Sequence, residues 1–106
     1  MDLKTRVFET LTRIPKGKVA TYSQIAVANG TGPRVIGNIL HRNLQPERYP
    51  CHRVIKSTGE LAEGYFYGGK FAQKLKLENE GIEFKNNKVD LSKFGVQYFK
   101  LQNTNA

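Results

Sequence analysis

The chain has 106 residues, 39% of them hydrophobic and 25% charged, which is typical of one ordinary globular domain. No apolar run reaches the roughly 18–20 residues that cross a bilayer, and the N-terminus lacks the apolar centre of a signal peptide, so we expect no membrane association. Seventeen Lys and Arg against nine Asp and Glu leave a net charge of +8, which favours a polyanionic partner but also fits a merely soluble basic surface.

The first predicted element is a helix. Asp2 is a good N-cap, and the apolar residues that follow it recur at helical spacing. These residues are Leu3, Val7, Phe8, Leu11 and Ile14. Pro15 and Gly17 end the helix, because neither residue type continues one well.

Two short helices are predicted next. Thr21 and Gln24 form a capping-box pattern that begins a helix ending near Asn29 and Gly30, and Pro33 suits the first turn of another. The inward residues of this third helix are predicted to be Val35, Ile36, Ile39 and Leu40, and its polar face carries Arg34, Asn38, His41 and Arg42. Two short helices with a glycine turn are typical of a helix-turn-helix, although on pattern alone a basic face is more often simply solvated.

The second half of the chain is less regular. Residues 43–67 show no clear period, and a last helix is predicted to carry Phe71, Ala72, Leu75 and Leu77 and to stop at Gly81. Short apolar stretches on either side of residues 85–88 predict a small hairpin. We expect a single domain over residues 1–106, with its core at about 3–91, a C-terminal extension at 92–106, and a polar, frayed end from Leu101 onward.

Residues that can do chemistry are densest around Cys51, the only cysteine. Cysteine is nucleophilic as a thiolate, and His52 and Arg53 favour that form where they lie close to the sulfur, while Pro50 restricts the backbone before it. A lone cysteine is nevertheless more often a small buried hydrophobe. Its spacing from His41 and His52 does not suit zinc, so we expect no metal or other cofactor. One cysteine also suits a reducing compartment, so we expect an intracellular protein, cytoplasmic or nuclear.

Residues 50–54, Pro-Cys-His-Arg-Val, resemble the active-site motif of the O6-alkylguanine-DNA alkyltransferases, also called methylated-DNA–protein-cysteine methyltransferases. The surrounding order is similar too, and the resemblance covers about residues 3–91. The other matching positions are residues 17–22, 34–38, 42–43, 64–65, 68–69, Lys74 and residues 80–81. The resemblance implies direct repair of DNA by one transfer of an alkyl group per protein. With the predicted elements, it implies a mostly α, winged-helix-like helix-turn-helix DNA-binding domain with a small C-terminal hairpin.

The resemblance also assigns catalytic roles. Cys51 would accept the alkyl group from O6 of guanine, and His52, acting through a water molecule and backed by Glu80, would deprotonate it. Tyr22 would help to rotate the nucleotide out of the stack and would donate a proton or hydrogen bond to the leaving guanine. Such base flipping is required because the reacting atom is unreachable inside a duplex.

Further roles concern the DNA and the pocket. The implied partner is double-stranded DNA, bound by a monomer in the minor groove, with Arg34 filling the gap left by the base and Asn38 and Arg42 on the same face. Tyr65 would lie against the O6 side of the base. Two remaining residues belong to the pocket and its hinge: Asn43, which would brace the turn before the Cys51 segment, and Arg53.

Three features depart from the family. An N-terminal domain usual in the family is absent from the sequence. Leu44 follows Asn43 where the family commonly has Pro, which suggests a looser hinge, and residues 63–67 are crowded with aromatic side chains. A non-catalytic alkyltransferase-like protein that only recognises lesions is the alternative, although such proteins typically carry Trp in place of Cys51. A sequence-specific regulator that binds two half-sites as a dimer is a more distant one.

Overall fold

A computed structural model describes residues 2–97 and residue 101 of the chain. Within them, five α-helices and four two-residue strands follow one another, so the mostly α fold class is confirmed. In chain order they are α1 (Leu3–Leu11), β1 (Ala20–Thr21), α2 (Tyr22–Ala28), α3 (Pro33–Leu40), β2 (Val54–Ile55), α4 (Gly69–Asn79), β3 (Phe84–Lys85), β4 (Lys88–Val89) and α5 (Leu91–Phe94). Of the helices in this part of the chain, none is long and apolar enough to span a membrane.

The predicted starts of the first three helices are confirmed, because each has a local signal. The Asp2 carboxylate accepts a hydrogen bond of 2.8 Å from the Thr5 amide. At α2, the Thr21 hydroxyl accepts from the Gln24 amide at 3.0 Å, and the Gln24 side chain accepts from the Thr21 amide at 2.9 Å. α3 begins at Pro33. Proline suits this position because backbone N–H groups in the first turn of a helix have no intrahelical acceptor, so the N–H that proline lacks is not needed.

Helices α1, α2 and α3 surround the main hydrophobic core. The prediction that Val35 faces this core is wrong, since its side chain is 38% exposed. α3 has only eight residues, and Ile36 with Leu40 occupies its buried stripe. The buried members of this core are Val7, Phe8, Leu11, Ile14, Ala20, Ile25, Ala26, Ile36, Leu40, Cys51, Val54, Val96 and Leu101.

Strands β1 and β2 form a parallel pair that the sequence patterns did not predict. Ala20 lies opposite Val54 in this pair. β1 runs directly into Tyr22 at the start of α2, and β2 directly follows a short 3-10 turn at Cys51–Arg53. The pairing therefore fixes the position of the Cys51 turn relative to the first residue of α2.

A smaller second core lies between α4, the β1–β2 pair and the C-terminal hairpin. Its buried members are Val19, Ile55, Leu61, Leu77, Ile82 and Val89. The predicted hairpin is confirmed, with Phe84 opposite Val89 and with Asn86 and Asn87 in the left-handed conformation at φ 54° and 61°, as a tight two-residue turn requires. The last predicted helix is also confirmed as α4, but Phe71 and Leu75 on it are exposed and its buried residues are Gln73 and Leu77.

The chain continues to contribute to the main core beyond Leu91. The Val19 amide donates to the Phe94 carbonyl at 2.9 Å, and the Val96 amide donates to the Val19 carbonyl at 2.7 Å. Leu101 is buried, and its carbonyl accepts from Arg13 at 3.2 Å. The prediction of a polar, frayed end is therefore wrong for Leu101, and residues 102–106, to which it also applies, lie outside the described residues.

Candidate active site

Cys51 opens the 3-10 turn at the edge of the main core, with its amide donating to the Tyr49 carbonyl at 2.7 Å. Its side chain is 6% exposed. It lines a cavity of about 20 Å³ together with five other residues and one glycine, which are Tyr22, Leu40, His41, Tyr65, Phe66 and Gly64. This volume is about what one water molecule needs, so the cavity is closed to a purine in the free protein.

His52 and Arg53 both bind the carboxylate of Glu80, at the C-terminal end of α4. His52 Nε2 lies 3.0 Å from Glu80 Oε2. Arg53 donates through Nε to Oε1 at 2.9 Å and through Nη2 to Oε2 at 2.8 Å. Its third donor, Nη1, reaches the Ile14 carbonyl at 2.8 Å. The turn is thereby tied both to α4 and to the segment that follows α1.

These contacts set the protonation states of the pair. Burial lowers the pKa of His52 below its usual value despite the opposing effect of Glu80, so its imidazole is neutral at neutral pH. Burial alone would raise the pKa of Glu80, but the hydrogen bonds from Arg53 and His52 outweigh it and lower that pKa. Because a carboxylate only accepts, His52 carries its proton on Nε2, and Nδ1 is left as the acceptor.

The thiol of Cys51 is not activated in the way the sequence suggested. Burial raises its pKa above the usual value, and the nearby Asn43 side chain and the Lys76 ammonium only partly oppose this. Arg53, expected to favour the thiolate, instead directs its guanidinium to Glu80 and Ile14. A protonated thiol needs a base, which is what a neutral His52 can supply.

Tyr22 and Tyr65 bring phenol groups to the cavity beside Cys51. Tyr22 is the first residue of α2 and packs against the main core. Burial raises the pKa of both phenols, with Cys51 raising that of Tyr22 further, so both remain protonated donors. The Tyr65 hydroxyl accepts a hydrogen bond of 2.8 Å from Lys76 Nζ.

Asn43 braces the loop between α3 and Cys51, even though Leu44 follows it. Asn43 is 1% exposed, and its side chain donates to the Tyr49 carbonyl at 2.8 Å and accepts from the Gln45 amide at 2.9 Å. Its backbone carbonyl also accepts from the Tyr67 hydroxyl. Leu44 points outward and is 82% exposed, so this turn forms without a proline.

Gln73 is a site residue that the sequence patterns missed. It is 2% exposed, and its side-chain nitrogen donates to the carbonyls of His52 at 2.9 Å and Val54 at 3.2 Å. It therefore fixes the end of the turn that carries Cys51. The sequence did contain a signal that Gln73 is buried. It lies four residues before the apolar Leu77, which places both residues on one face of α4.

The predicted polar face around α3 lies on the surface. Arg34, Asn38, His41 and Arg42 are all exposed, although α3 itself ends at Leu40 and His41 is its C-cap. His41 also closes one side of the cavity, where a Cβ at Gly64 would lie 3.2 Å from its ring. Within residues 2–97 and 101, no three His, Cys, Asp or Glu side chains are grouped so that they could hold a metal ion.

Residues 2–82 match the family described as the DNA-binding domain of 6-O-methylguanine DNA methyltransferase. The chain belongs to this family. Among members of known function, a methylated-DNA–protein-cysteine methyltransferase of Saccharolobus islandicus is 47% identical over 77 residues, which is 73% of this chain and 49% of that protein. A bifunctional methyltransferase/endonuclease of Picrophilus torridus is 38% identical over 102 residues, which is 93% of this chain and 33% of that protein. The chain thus spans half or less of the length of these two family members.

Solved structures in the family share the fold. The O6-methylguanine-DNA methyltransferase of Pyrococcus kodakaraensis has a TM-score of 0.68 and 36% identity, over 77% of this chain and 47% of that one. The S. pombe protein Atl1, crystallised with damaged DNA containing O6-carboxymethylguanine, has a TM-score of 0.77 and 33% identity, over 90% of this chain and 94% of that one.

Proposed function

We propose that the protein repairs DNA by transferring an alkyl group from O6 of guanine to Cys51 Sγ. The observation that carries this proposal is that Cys51 shares its cavity with two phenols while the adjacent His52 is held by Glu80. A nucleophile, a base with a fixed tautomer and proton donors are the groups that alkyl transfer needs. Similarity to methylated-DNA–protein-cysteine methyltransferases supports the same reaction.

The reaction balances with the residues present. His52 Nδ1 takes the thiol proton of Cys51 through a water molecule, and the thiolate attacks the alkyl carbon. The C–O6 bond breaks as the S–C bond forms, and its electron pair stays on the guanine. Tyr22 neutralises this developing negative charge by donating a proton, which is regained from the imidazolium through solvent. The products are unmodified guanine and a cysteine thioether, which has no route back to a thiol here, so each protein reacts once.

The closed cavity requires the protein to open before reaction. A volume of about 20 Å³ cannot admit a base, so side chains that line the cavity, such as the exposed Phe66 in the 63–67 loop, must move when a flipped guanine enters. Extruding a base costs a few kcal/mol, which an inserted side chain and phosphate contacts can offset.

The surface around α3 supports duplex DNA as the partner. Arg34, Asn38 and Arg42 are exposed on the second helix of the α2–α3 pair, in a chain with a net charge of +8. We place this helix in the minor groove, where sequence is read poorly, with Arg34 in the gap left by the base and one protein monomer per lesion. A cysteine that must remain a thiol supports a reducing, intracellular location.

Binding without transfer is the second candidate. It is favoured by the match to Atl1 over nearly the whole of both chains, in a structure with damaged DNA. The two candidates make the same prediction for lesion binding and opposite predictions for Cys51.

The test is incubation of the protein with a duplex containing one O6-methylguanine, followed by intact-mass and peptide mass spectrometry. We expect one added methyl group per protein, located on Cys51, and restored guanine in the duplex. Cys51→Ala is the matched control, which should bind the lesion without gaining mass. Tight lesion binding with no mass change in the unmodified protein would refute transfer and support the second candidate.

A further inference from the structure

Lys76 connects two parts of the site. It lies on α4, one helical turn before Glu80, and it lines an open cleft of about 520 Å³ together with His52 and Glu80. Its ammonium also donates a hydrogen bond to the Tyr65 hydroxyl at 2.8 Å. The same ammonium lies 5.4 Å from the centre of the Tyr65 ring and 5.8 Å from the centre of the Tyr67 ring. Lys76 thus joins the helix that carries Glu80 to the loop that closes the cavity of Cys51.

The direction of this hydrogen bond defines what Tyr65 can do. An ammonium has donors and no acceptor, so the phenol oxygen of Tyr65 must accept from Lys76. The phenol hydrogen then points away from Lys76 and is available to a second partner. Tyr65 also lines the cavity of Cys51, where an acceptor such as O6 of a bound guanine would be that partner.

We propose that Lys76 is a positioning residue for alkyl transfer, which holds Tyr65 as a hydrogen-bond donor to O6 and brings a positive charge to the Tyr65 side of the Cys51 cavity. This role rests on the proposed function and adds to it a residue outside the Cys51–His52–Glu80 and Tyr22 set. Both the thiolate and the departing guanine are negative, so one fixed cation stabilises the charge before and after transfer.

The charges around Cys51 support this assignment. Burial raises the pKa of the Cys51 thiol, and the Asn43 side chain and Lys76 oppose it. The other titratable side chains that line the cavity with Cys51 are those of Tyr22, Tyr65 and His41, and the neutral His52 is the next residue in the chain. Glu80 is matched by Arg53, which leaves the charge of Lys76 to act on the sulfur and on Tyr65.

The experiment compares Lys76→Met and Lys76→Arg with Lys74→Met, a matched loss of one lysine from the same helix, where the Lys74 ammonium packs over the Phe84 ring instead. The first measurement, without DNA, is the rate of Cys51 alkylation by iodoacetamide as a function of pH. The second is single-turnover methyl transfer from an O6-methylguanine duplex at saturating protein, with Tyr65→Phe and the Tyr65→Phe, Lys76→Met double variant included.

We expect Lys76→Met to shift the iodoacetamide profile to higher pH and to slow methyl transfer about tenfold, the usual effect of losing one charge-assisted hydrogen bond. Lys76→Arg should keep most of the normal iodoacetamide profile and of the normal transfer rate. Lys74→Met should match the unmodified protein in both measurements. The double variant should be little slower than Lys76→Met alone, because the two residues act as a unit.

An unchanged pH profile in Lys76→Met overturns the charge effect, and additive losses in the double variant overturn the positioning of Tyr65. The outcomes stay separate from those of the proposed function. If the unmodified protein transfers no methyl group, the proposed function fails, while the iodoacetamide profile still decides whether Lys76 acts on the thiol.

Discussion

Arg53 and Glu80 face each other in a two-pronged pair, with Nε to Oε1 at 2.9 Å and Nη2 to Oε2 at 2.8 Å. This geometry is stronger and more directional than a single contact, and both side chains are largely buried, at 16% and 14% exposure. The Oε2 atom that accepts from Arg53 Nη2 also contacts His52 Nε2, at 3.0 Å. Arg53 therefore affects the site by holding Glu80 in place and not by stabilising the Cys51 sulfur directly.

Replacing Arg53 by Met tests this arrangement. The variant loses the partner of a partly buried carboxylate and the bond to the Ile14 carbonyl, so we expect the free energy of unfolding to fall by about 1–3 kcal/mol at neutral pH. The measurement is urea unfolding followed by circular dichroism. Arg6→Met, which removes an exposed charge from α1, is the control and should change little. Equal stability of the two variants would contradict the structural role of Arg53.

The stability of the fold should depend on pH through His52. Its folded pKa lies below the usual value of 6.5, so between these values the unfolded chain binds a proton that the folded chain does not. This contribution to stability is fully present above about pH 7 and is lost as pH falls below the usual value toward the lower folded pKa. Glu80, whose folded pKa is also lowered, adds a further loss below its usual 4.5. Between the folded and the usual pKa of His52, the urea midpoint of His52→Gln should fall less steeply with decreasing pH than that of the parent protein. The midpoint of His41→Gln, which changes an exposed histidine, should follow the parent protein.

Tyr22→Phe should separate chemistry from binding. The ring keeps its packing against the main core, and only the hydroxyl that faces the cavity is lost. We expect methyl transfer to slow by about 10²-fold, the scale of one general acid, with affinity for the lesion duplex nearly unchanged. Single-turnover kinetics and fluorescence anisotropy measure the two quantities. A parallel loss of both would show that Tyr22 only packs or contacts DNA.

Gln73→Leu should destabilise the turn that carries Cys51. The carbonyls of His52 and Val54 would lose their shared donor inside the protein, which costs about 1–3 kcal/mol for each group left unpaired. Thermal unfolding measures the loss, and the exposed Gln97→Leu is the control. Because the turn also positions the sulfur, methyl transfer should slow more than the fraction of unfolded protein accounts for.

Arg34→Ala should weaken DNA binding in a way that salt reveals. Arg34 is exposed near the start of α3, at the surface we assign to DNA. If it contacts a phosphate, the slope of log affinity against log salt should decrease by about one. If it instead fills the gap left by the flipped base, affinity for the lesion should fall with the slope unchanged. If neither the affinity nor its salt dependence changes, the DNA binds at another surface of the protein.

Local chemical signals in the sequence were sufficient for much of the fold. The Asp2 cap, the Thr21 and Gln24 capping box, Pro33 and the Asn86–Asn87 turn each specify backbone geometry within a few residues, and all are present in the structure. The β1–β2 pair was not predictable in this way. Each strand has two residues, and the partners are separated by more than 30 positions, so no periodic pattern marks them.

The site was predictable in its residues but not in all of its contacts. The motif around Cys51 predicted that Cys51 and His52 belong to the site, and the order along the chain predicted the same of Glu80, which the structure brings into contact with His52. The direction taken by Arg53 depended on α4 approaching the turn, a tertiary contact that adjacency in sequence conceals. In the sequence, Lys76 resembles any solvated lysine on a helix. Only its contact with Tyr65 in the structure distinguishes it from Lys74.

Cys51 belongs to the same buried cluster as Val7, Leu11 and Ile36. Under the proposed function, its S-methyl derivative would be a methionine shortened by one methylene, so each transfer would be chemically equivalent to replacing a small interior side chain by a larger apolar one. The gap beside the sulfur is about the size of one water molecule and can take a methyl group, whereas an ethyl or benzyl group must displace Tyr65 or Phe66 permanently. If the proposed transfer occurs, we expect the melting temperature of the alkylated protein to depend on the size of the alkyl group that Cys51 has accepted.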